Sequence, residues 1–175
     1  MDFALSEQQT MFRDSVAAFA RKELADGALA RAHSAEFPHE VARKMAEAGL
    51  LGILLPEADG GAGGTLMDAV LAIEQVAVYC PRSADVIQEG NFGAIRVLAQ
   101  FANADQKERY LKPLLQGREV IAVAMTEPEA GSATTDLTTT AVPDGKGWRI
   151  TGTKVFPNPH ADQYLVYVRF GPGIG

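Results

Sequence analysis

Residues 123–132 read VAMTEPEAGS, an apolar run that ends in a polar corner. Pro128 restricts the residue before it and lacks a backbone donor, so a strand through the apolar run must end about there. Gly131 lets the backbone turn and approach a ligand closely. Backbone N–H groups around the corner, and the hydroxyls of Thr126 and Ser132, are then available for hydrogen bonds that the strand no longer uses. The corner is therefore the first candidate for a binding site.

The residue types of this corner allow two interpretations. The free backbone donors and hydroxyls suit a flat group with several hydrogen-bonding atoms, such as a flavin ring. Small polar residues are also what an ordinary β-corner uses, and on the physics of turns alone this plainer interpretation is favoured. The choice between a ligand-binding corner and an ordinary β-corner therefore depends on the sequence on either side.

On the N-terminal side of the corner, apolar residues recur at helical spacing as far as Gly117, which predicts a helical domain packed on itself. Caps and breakers predict five helices, which begin at Ser6, Pro38, Thr65, after Pro81 and after Asn103. The third helix is predicted to end at Pro81 and to bury Leu66, Val70, Ile73, Ala77 and Cys80. The fourth, interrupted by Gly90 and Gly93, is predicted to continue to Phe101.

After Gly117 the pattern changes to strand-like runs. Four strands are predicted, at Val120–Met125, Leu137–Val142, Trp148–Phe156 and Tyr164–Phe170. The fold class is therefore α+β, with a helical domain at residues 1–117 followed by an incomplete antiparallel β domain at 118–175. Because four strands that end in a loop leave unpaired edges and an exposed apolar face, we expect the sequence to stop inside its second domain.

Composition narrows the class of protein further. The 175 residues are 47% hydrophobic and 22% charged, which is ordinary for a folded soluble chain. The net charge of -6 argues against nucleic-acid binding. No apolar stretch is long enough to span a bilayer, and a single cysteine excludes an intrachain disulfide, so a cytoplasmic protein is expected. The three histidines have no metal-ligand spacing, and no metal site is predicted.

The segment 123–132 resembles the signature of the acyl-CoA dehydrogenase family, in which Thr-Glu-Pro is followed by Ala-Gly-Ser and usually Asp. Other segments are similar to the family in the same order along the chain. They read LLPE from residue 54 with a glycine-rich turn after it, QKERYLKPLLQG at 106–117, LTTTA at 137–141 and WRITGTK at 148–154. The resemblance covers nearly the whole chain and favours the ligand-binding interpretation of the corner.

The resemblance implies an FAD-dependent oxidoreductase of fatty acid metabolism with a helical domain, a middle β domain and a C-terminal helical bundle that this sequence lacks. The cofactor-binding residues it implies are Val123, Ala124, Met125, Thr126, Gly131, Ser132, Phe156 and Asn158. The backbone of 123–126 and the Thr126 hydroxyl would face the flavin ring. Ser132 would lie near the acyl-CoA substrate or the phosphate-bearing arm of the flavin. Phe156 would pack on the flavin, and Asn158 stands where a Ser or Thr usually lies close to its reactive nitrogen.

The chemistry implied by the resemblance is proton removal from the α-carbon of an acyl thioester while a hydride leaves the β-carbon for the flavin. The family's base is a glutamate in the C-terminal domain, so we expect no catalytic residue in this chain and no turnover from the chain alone. Glu127 is assigned to the structure of the corner. The implied partners are an acyl-CoA, an electron-transfer flavoprotein, and further copies in a dimer or tetramer or a partner subunit.

Two local departures from the family pattern keep other functions open. Ala133 replaces the usual Asp after Gly-Ser, and Pro157 and Pro159 remove two backbone donors next to the expected flavin edge. A flavin monooxygenase or oxidase of the same fold is one alternative, because fold alone does not choose the chemistry. A non-catalytic subunit or scaffold is the other.

Overall fold

The structure is a computed structural model that describes residues 4–171. The chain divides into two compact units, one up to Val120 and one from Ile121 onward. The first unit is helical and the second contains short strands. The fold class is thus α+β, as the sequence predicts, and the change from helix to strand falls just after Gly117.

The helices of the first unit are short and follow one another closely. They are α1 Glu7–Glu23, α2 Ala28–Ala32, α3 His39–Glu47, α4 Leu66–Tyr79, α5 Pro81–Glu89, α6 Ala94–Phe101, α7 Ala104–Gln106 and α8 Lys112–Leu115. A π-helical turn at Lys107–Leu111 joins α7 to α8, so the predicted fifth helix is present with a bulge in its middle. No helix within residues 4–171 is both long and apolar enough to cross a membrane.

Three of these helices begin with a capping box. Gln9 N donates to the Ser6 hydroxyl at 3.2 Å, and Ser6 N donates back to the Gln9 side chain at 3.0 Å. The same reciprocal pair forms at Thr65 with Asp68 and at Asn103 with Gln106. Each box satisfies N–H groups that the first helical turn leaves without a partner, so the three predicted helix starts are confirmed.

The buried face of α4 differs from the predicted one. The helix packs against α1 and α5 through Ala69, Leu71, Ala72 and Val76. Leu66 and Val70, which the sequence assigns to the core, are exposed. The sequence of α4 is apolar on most sides, so periodicity alone does not mark its buried face. Alanines are buried there because they let neighbouring helices approach closely.

The fourth predicted helix is two helices. Cys80 is extended, and Pro81 stands at the start of α5, where its fixed φ and missing N–H cost nothing. Gly93 has a φ of 59° and separates α5 from α6, so the interruption breaks the helix completely. Cys80 itself is buried, with its sulfur accepting from Ser83 Oγ at 3.0 Å and Arg31 Nε at 3.5 Å.

The glycine-rich segment after Pro56 is held in place by its own backbone. Its N–H groups donate to carbonyls of residues 52–56: Gly61 to Pro56, Ala62 to Gly52, Gly63 to Leu55 and Gly64 to Ile53. A Cβ on Gly61 would strike the Leu55 carbonyl oxygen and Cβ. The glycines of this segment therefore serve the close packing of one backbone on another.

The strands of the second unit are β1 Ile121–Ala124, β2 Thr140–Asp144, β3 Gly147–Thr151 and β4 Gln163–Val166. The β2–β3 hairpin is antiparallel and turns at Gly145, whose φ is 64°. The loop of the hairpin is the pair Gly145 and Lys146, because Asp144 is opposite Gly147. Beyond β4, Arg169 N donates to Thr139 O at 2.8 Å and Ala141 N donates to Arg169 O at 3.0 Å. The extension of β4 thus lies beside the start of β2.

One part of the antiparallel prediction is wrong. β1 pairs with β4 in parallel, with Ile121 opposite Gln163 and Ala124 opposite Val166. The connection between these strands contains the corner and the β2–β3 hairpin. It is long enough for the crossover that a parallel pair requires. The strands are also shorter than predicted, since β3 ends at Thr151 and not at Phe156.

Candidate functional site

The polar corner after β1 is a tight turn closed by two backbone hydrogen bonds. Glu127 N donates to Ala130 O at 3.0 Å, and Ala130 N donates to Glu127 O at 3.2 Å. Pro128 and Glu129 are exposed at the tip of the turn. Met125 and Thr126 therefore lie between the end of the strand and the start of the turn, where the chain is no longer paired as a sheet.

The Glu127 carboxylate is buried inside this corner, with 3% of the residue exposed. Its Oε2 accepts from Thr138 N at 2.6 Å and Thr138 Oγ1 at 2.7 Å. Its Oε1 accepts from Thr139 N at 2.9 Å and Lys154 Nζ at 2.8 Å. Four donors on one buried carboxylate connect the corner to the segment before β2 and to the segment after β3.

These contacts determine the charge state of Glu127. Burial acts to raise the pKa of Glu127, but the hydrogen bonds from Lys154, Thr139 and Thr138 outweigh it and hold the pKa far below its ordinary value. Glu127 is thus an ionised acceptor at neutral pH. A carboxylate with this pKa and four donors is a poor proton acceptor, which agrees with the structural role that the sequence assigns to it.

Lys154 completes the corner from the other side. Its side chain is 9% exposed, and its ammonium donates both to Glu127 Oε1 and, at 2.9 Å, to the carbonyl oxygen of Met125. One residue further along, Val155 N donates to the carbonyl of Thr126 at 2.9 Å. The segment after β3 is therefore attached to the corner by a side chain and by its backbone.

Thr126 keeps its own donors free. Within residues 4–171, neither its backbone N–H nor its hydroxyl makes a hydrogen bond, although its carbonyl oxygen does. The residue as a whole is partly exposed. Val123 and Ala124 precede it in β1, where they pair with Leu165 and Val166 of β4. Of the predicted flavin-facing stretch, Thr126 is the residue whose N–H and hydroxyl the fold leaves unused.

Gly131 and Ser132 follow the turn and are exposed. A Cβ built on Gly131 would meet no atom within 4 Å, and the φ of Gly131 is not among the positive values found elsewhere in the chain. The backbone conformation at 131 thus does not itself require glycine, and the close approach of a ligand to Gly131 stays a prediction. The predicted role of Ser132 toward substrate or cofactor stays a prediction.

Phe156 and Asn158 follow Val155, whose N–H donates to the carbonyl of Thr126 in the corner. Phe156 has a φ of 66°, which is uncommon outside glycine, and 93% of the residue is exposed. Asn158 is engaged locally, because its Oδ1 accepts from His160 N at 3.1 Å and its carbonyl accepts from the Tyr164 hydroxyl at 3.0 Å. The segment with the two prolines is therefore held by local hydrogen bonds, and its Phe156 side chain is exposed.

One residue of this site, Lys154, had no role in the sequence prediction of ligand binding. Lys154 occurs in a segment that carries the family resemblance, but no spacing rule connects it to Met125 or Glu127. Their contact depends on the path of the chain between positions 127 and 154.

In the part of the chain that the structure describes, no group of three or more His, Cys, Asp or Glu side chains could hold a metal ion.

The chain is thus an α+β protein, with a helical unit followed by a strand unit that carries an open, polar corner. Residues 6–118 match the family described as "Acyl-CoA dehydrogenase, N-terminal domain". The chain therefore belongs to the acyl-CoA dehydrogenase family.

Individual relatives agree with this assignment. The chain is 35% identical over 173 residues to benzylmalonyl-CoA dehydrogenase of Aromatoleum aromaticum, covering 98% of this chain and 46% of that protein. It is 36% identical to subunit CarC of the caffeyl-CoA reductase–Etf complex of Acetobacterium woodii, over 94% of this chain and 44% of that one. The solved FAD complex of PigA has a TM-score of 0.87 and 28% identity, covering 100% of this chain and 47% of that chain. The chain thus spans a little under half the length of these relatives.

Proposed function

We propose that the corner at Thr126 binds the flavin of FAD, in an enzyme that dehydrogenates an acyl-CoA thioester between its α and β carbons. The observation that carries the proposal is the pair of unused donors on Thr126, in a family whose relatives include proteins named as acyl-CoA dehydrogenases. The FAD bound in the solved PigA complex supports the choice of cofactor.

The residues of the corner fit a flavin ring. The edge of the ring carries carbonyl oxygens and nitrogens that accept hydrogen bonds, and Thr126 supplies an N–H and a hydroxyl in adjacent positions. The exposed ring of Phe156 offers an apolar face for stacking. Binding would cover both Phe156 and the partly exposed Thr126, which stabilises the complex by removing apolar surface from water.

Bound FAD supplies the acceptor for the hydride that leaves the β-carbon of the thioester. The residues of this chain would hold and orient the flavin ring. Thr126 would donate to the ring edge and Phe156 would exclude water from one face of the ring, while the Glu127–Lys154 pair fixes the corner. Because Glu127 stays ionised and accepts four hydrogen bonds, it does not remove the α-proton.

The partners we propose follow from the relatives. CarC is named as a subunit of a complex with an electron-transfer flavoprotein, and benzylmalonyl-CoA dehydrogenase is named for a CoA thioester. We infer that the substrate here is also an acyl-CoA and that electrons leave through an electron-transfer flavoprotein. Assembly as a dimer or tetramer is part of the same proposal.

The test is a titration of the purified chain with FAD, followed by the visible absorption and fluorescence of the flavin. We expect saturable binding that weakens about tenfold in Thr126→Val, which removes one hydrogen bond and keeps the shape of the side chain. Thr151→Val is the matched control, because Thr151 is an exposed threonine at the end of β3, and its affinity for FAD should equal that of the native chain.

Three results would each count against a part of the proposal. No binding of FAD by the native chain would reject the corner as a flavin site and favour a non-catalytic subunit. Equal affinity of the two valine variants for FAD would show that the flavin does not bind at Thr126. Bound FAD whose reduced form is oxidised rapidly by oxygen and not by an electron-transfer flavoprotein would favour an oxidase or monooxygenase.

A further inference from the structure

We propose that Lys154 is a positioning residue whose ammonium, bound to the Met125 carbonyl, orients the Thr126 N–H and strengthens it as a donor. The inference rests on the proposed function only in naming FAD as the acceptor. It concerns a contact that is complete in the chain itself, between a buried side chain and the backbone of the corner.

The orienting effect follows from the planarity of the peptide bond. The Met125 carbonyl and the Thr126 N–H belong to the same peptide unit, so fixing the oxygen fixes the direction of the N–H on its opposite side. Lys154 Nζ lies 2.9 Å from that oxygen. The next peptide unit is also held, since Val155 N donates to the Thr126 carbonyl at 2.9 Å. The free N–H thus lies between two fixed points.

The strengthening effect follows from the charge of the donor. A hydrogen bond from an ammonium is roughly twice as strong as one between neutral groups. Hydrogen bonds in a chain polarise one another, by about 10–30% per bond in condensed-phase estimates. A cation on the Met125 oxygen therefore draws electron density toward that end of the peptide unit and leaves the Thr126 hydrogen more positive.

Glu127 is what allows a cation at this place. A buried ammonium without a counter-charge is costly, and Lys154 Nζ has the Glu127 carboxylate at 2.8 Å. That carboxylate is held in turn by Thr138 and Thr139. The Glu127 carboxylate thus holds the Lys154 ammonium in place while the ammonium donates to the Met125 oxygen.

A purely structural ion pair would have different consequences. It would stabilise the unit and leave the donor strength of Thr126 independent of Lys154. The two possibilities separate in a measurement on the amide itself. The chemical shifts of the Met125 carbonyl carbon and the Thr126 amide proton report, respectively, the hydrogen bond that Lys154 makes and the polarity of the N–H.

The experiment compares the full chain with Lys154→Met, Lys154→Arg and Lys146→Met by NMR without ligand, and then by titration with FAD. Lys146 is an exposed lysine in the β2–β3 turn and serves as the matched control. In Lys154→Met we expect both resonances to move upfield and FAD to bind about tenfold more weakly. Lys154→Arg should keep the two resonances and the affinity for FAD close to those of the native chain, and Lys146→Met should change none of them.

Each outcome decides the matter. Unchanged Met125 and Thr126 resonances in Lys154→Met would overturn the inference, and so would shifted resonances with an unchanged affinity for FAD. If both resonances shift in Lys154→Met but the native chain binds no FAD, the positioning of Thr126 is supported and the proposed function is overturned instead. If Lys154→Met does not give the dispersed spectrum of a folded chain, Lys154→Gln removes the charge while keeping a polar side chain, and the same criteria apply to it.

Discussion

Gly152 shows how closely the backbone segments around the corner approach one another. Its φ is 157°, and a Cβ at this position would contact the side chain of Thr139 and lie 2.7 Å from the Thr139 Cα. Thr139 donates its N–H to Glu127, so this close approach lies directly behind the buried carboxylate. The segment after β3 can reach the corner only because residue 152 has no side chain.

Gly152→Ala should therefore destabilise the chain. We expect a loss of about 2–3 kcal/mol in the free energy of unfolding, because the backbone of Thr139 has to move. Gly147→Ala is the control, since a Cβ there would meet no atom within 4 Å. Urea denaturation of the two variants gives the comparison, and an equal, small effect of both would contradict the close packing at Gly152.

The charge of Glu127 predicts a dependence of stability on pH. The pKa of Glu127 is lower in the folded chain than in the unfolded one, where a glutamate has about 4.3. Its contribution to stability is thus fully present above that unfolded value and is lost as the pH falls toward the folded one. Other carboxylates also titrate in this range, so the contribution of Glu127 has to be measured as a difference.

The measurement is thermal unfolding between about pH 3 and 7 for the native chain, Glu127→Gln and Glu129→Gln. Glu129 is an exposed glutamate in the same turn. The native chain and Glu129→Gln should lose stability steeply on acidification. Glu127→Gln should be less stable at pH 7 and change less as the pH falls. Curves of equal slope for all three proteins would show that Glu127 is not held as an ionised acceptor.

At the scale of single elements, the capping boxes carry a measurable part of helix stability. Thr65→Ala removes the side chain that accepts from Asp68 N and should cost about 1 kcal/mol. Thr65→Ser keeps the hydroxyl and should lie close to the native chain. Chemical denaturation followed by circular dichroism tests this, and an undiminished stability of Thr65→Ala would mean that α4 is fixed by its packing alone.

The elements also show which features were open to prediction. Caps depend on residues three positions apart. The capping box predicted at Ser6 is present, and the predicted helix starts at Thr65 and Asn103 also carry boxes. The buried face of α4 and the pairing of β1 with β4 depend on which neighbours the chain meets later. Leu66 and Val70 are exposed although they were predicted to be buried, and β1 and β4 are parallel although an antiparallel sheet was predicted. At the site, the family resemblance pointed to Thr126. The contact of Lys154 with Met125 joins residues that are distant in sequence, and no local pattern indicates it.

At the scale of the whole molecule, exposed apolar side chains are the most conspicuous surface property. On α4 the exposed fractions reach 60% at Leu66 and 69% at Val78, with Met67 and Val70 also exposed. In the second unit, Trp148 and Phe170 form an edge-to-face pair 4.9 Å apart while both are exposed. Exposed apolar side chains that cluster on one surface mark places where other groups bind.

The stripe on α4 should bind the dye ANS, whose fluorescence reports exposed apolar surface. The double substitution Met67→Lys with Val70→Lys should lower the fluorescence, because it places two charges within the stripe. Glu74→Lys changes charge on the same helix without removing an apolar side chain, and it should leave most of the signal. An equal loss in both proteins would assign the effect to charge and not to apolar surface.

The open space at Gly131 has a practical consequence for chemistry on this protein. Cys80, the one cysteine in the sequence, is fully buried, so a thiol reagent has little access to it in the folded chain. The substitution Gly131→Cys would place a second, accessible thiol at a position where a Cβ meets nothing within 4 Å. A fluorophore attached there would stand beside the corner without disturbing it, and its emission would report any molecule that approaches Thr126.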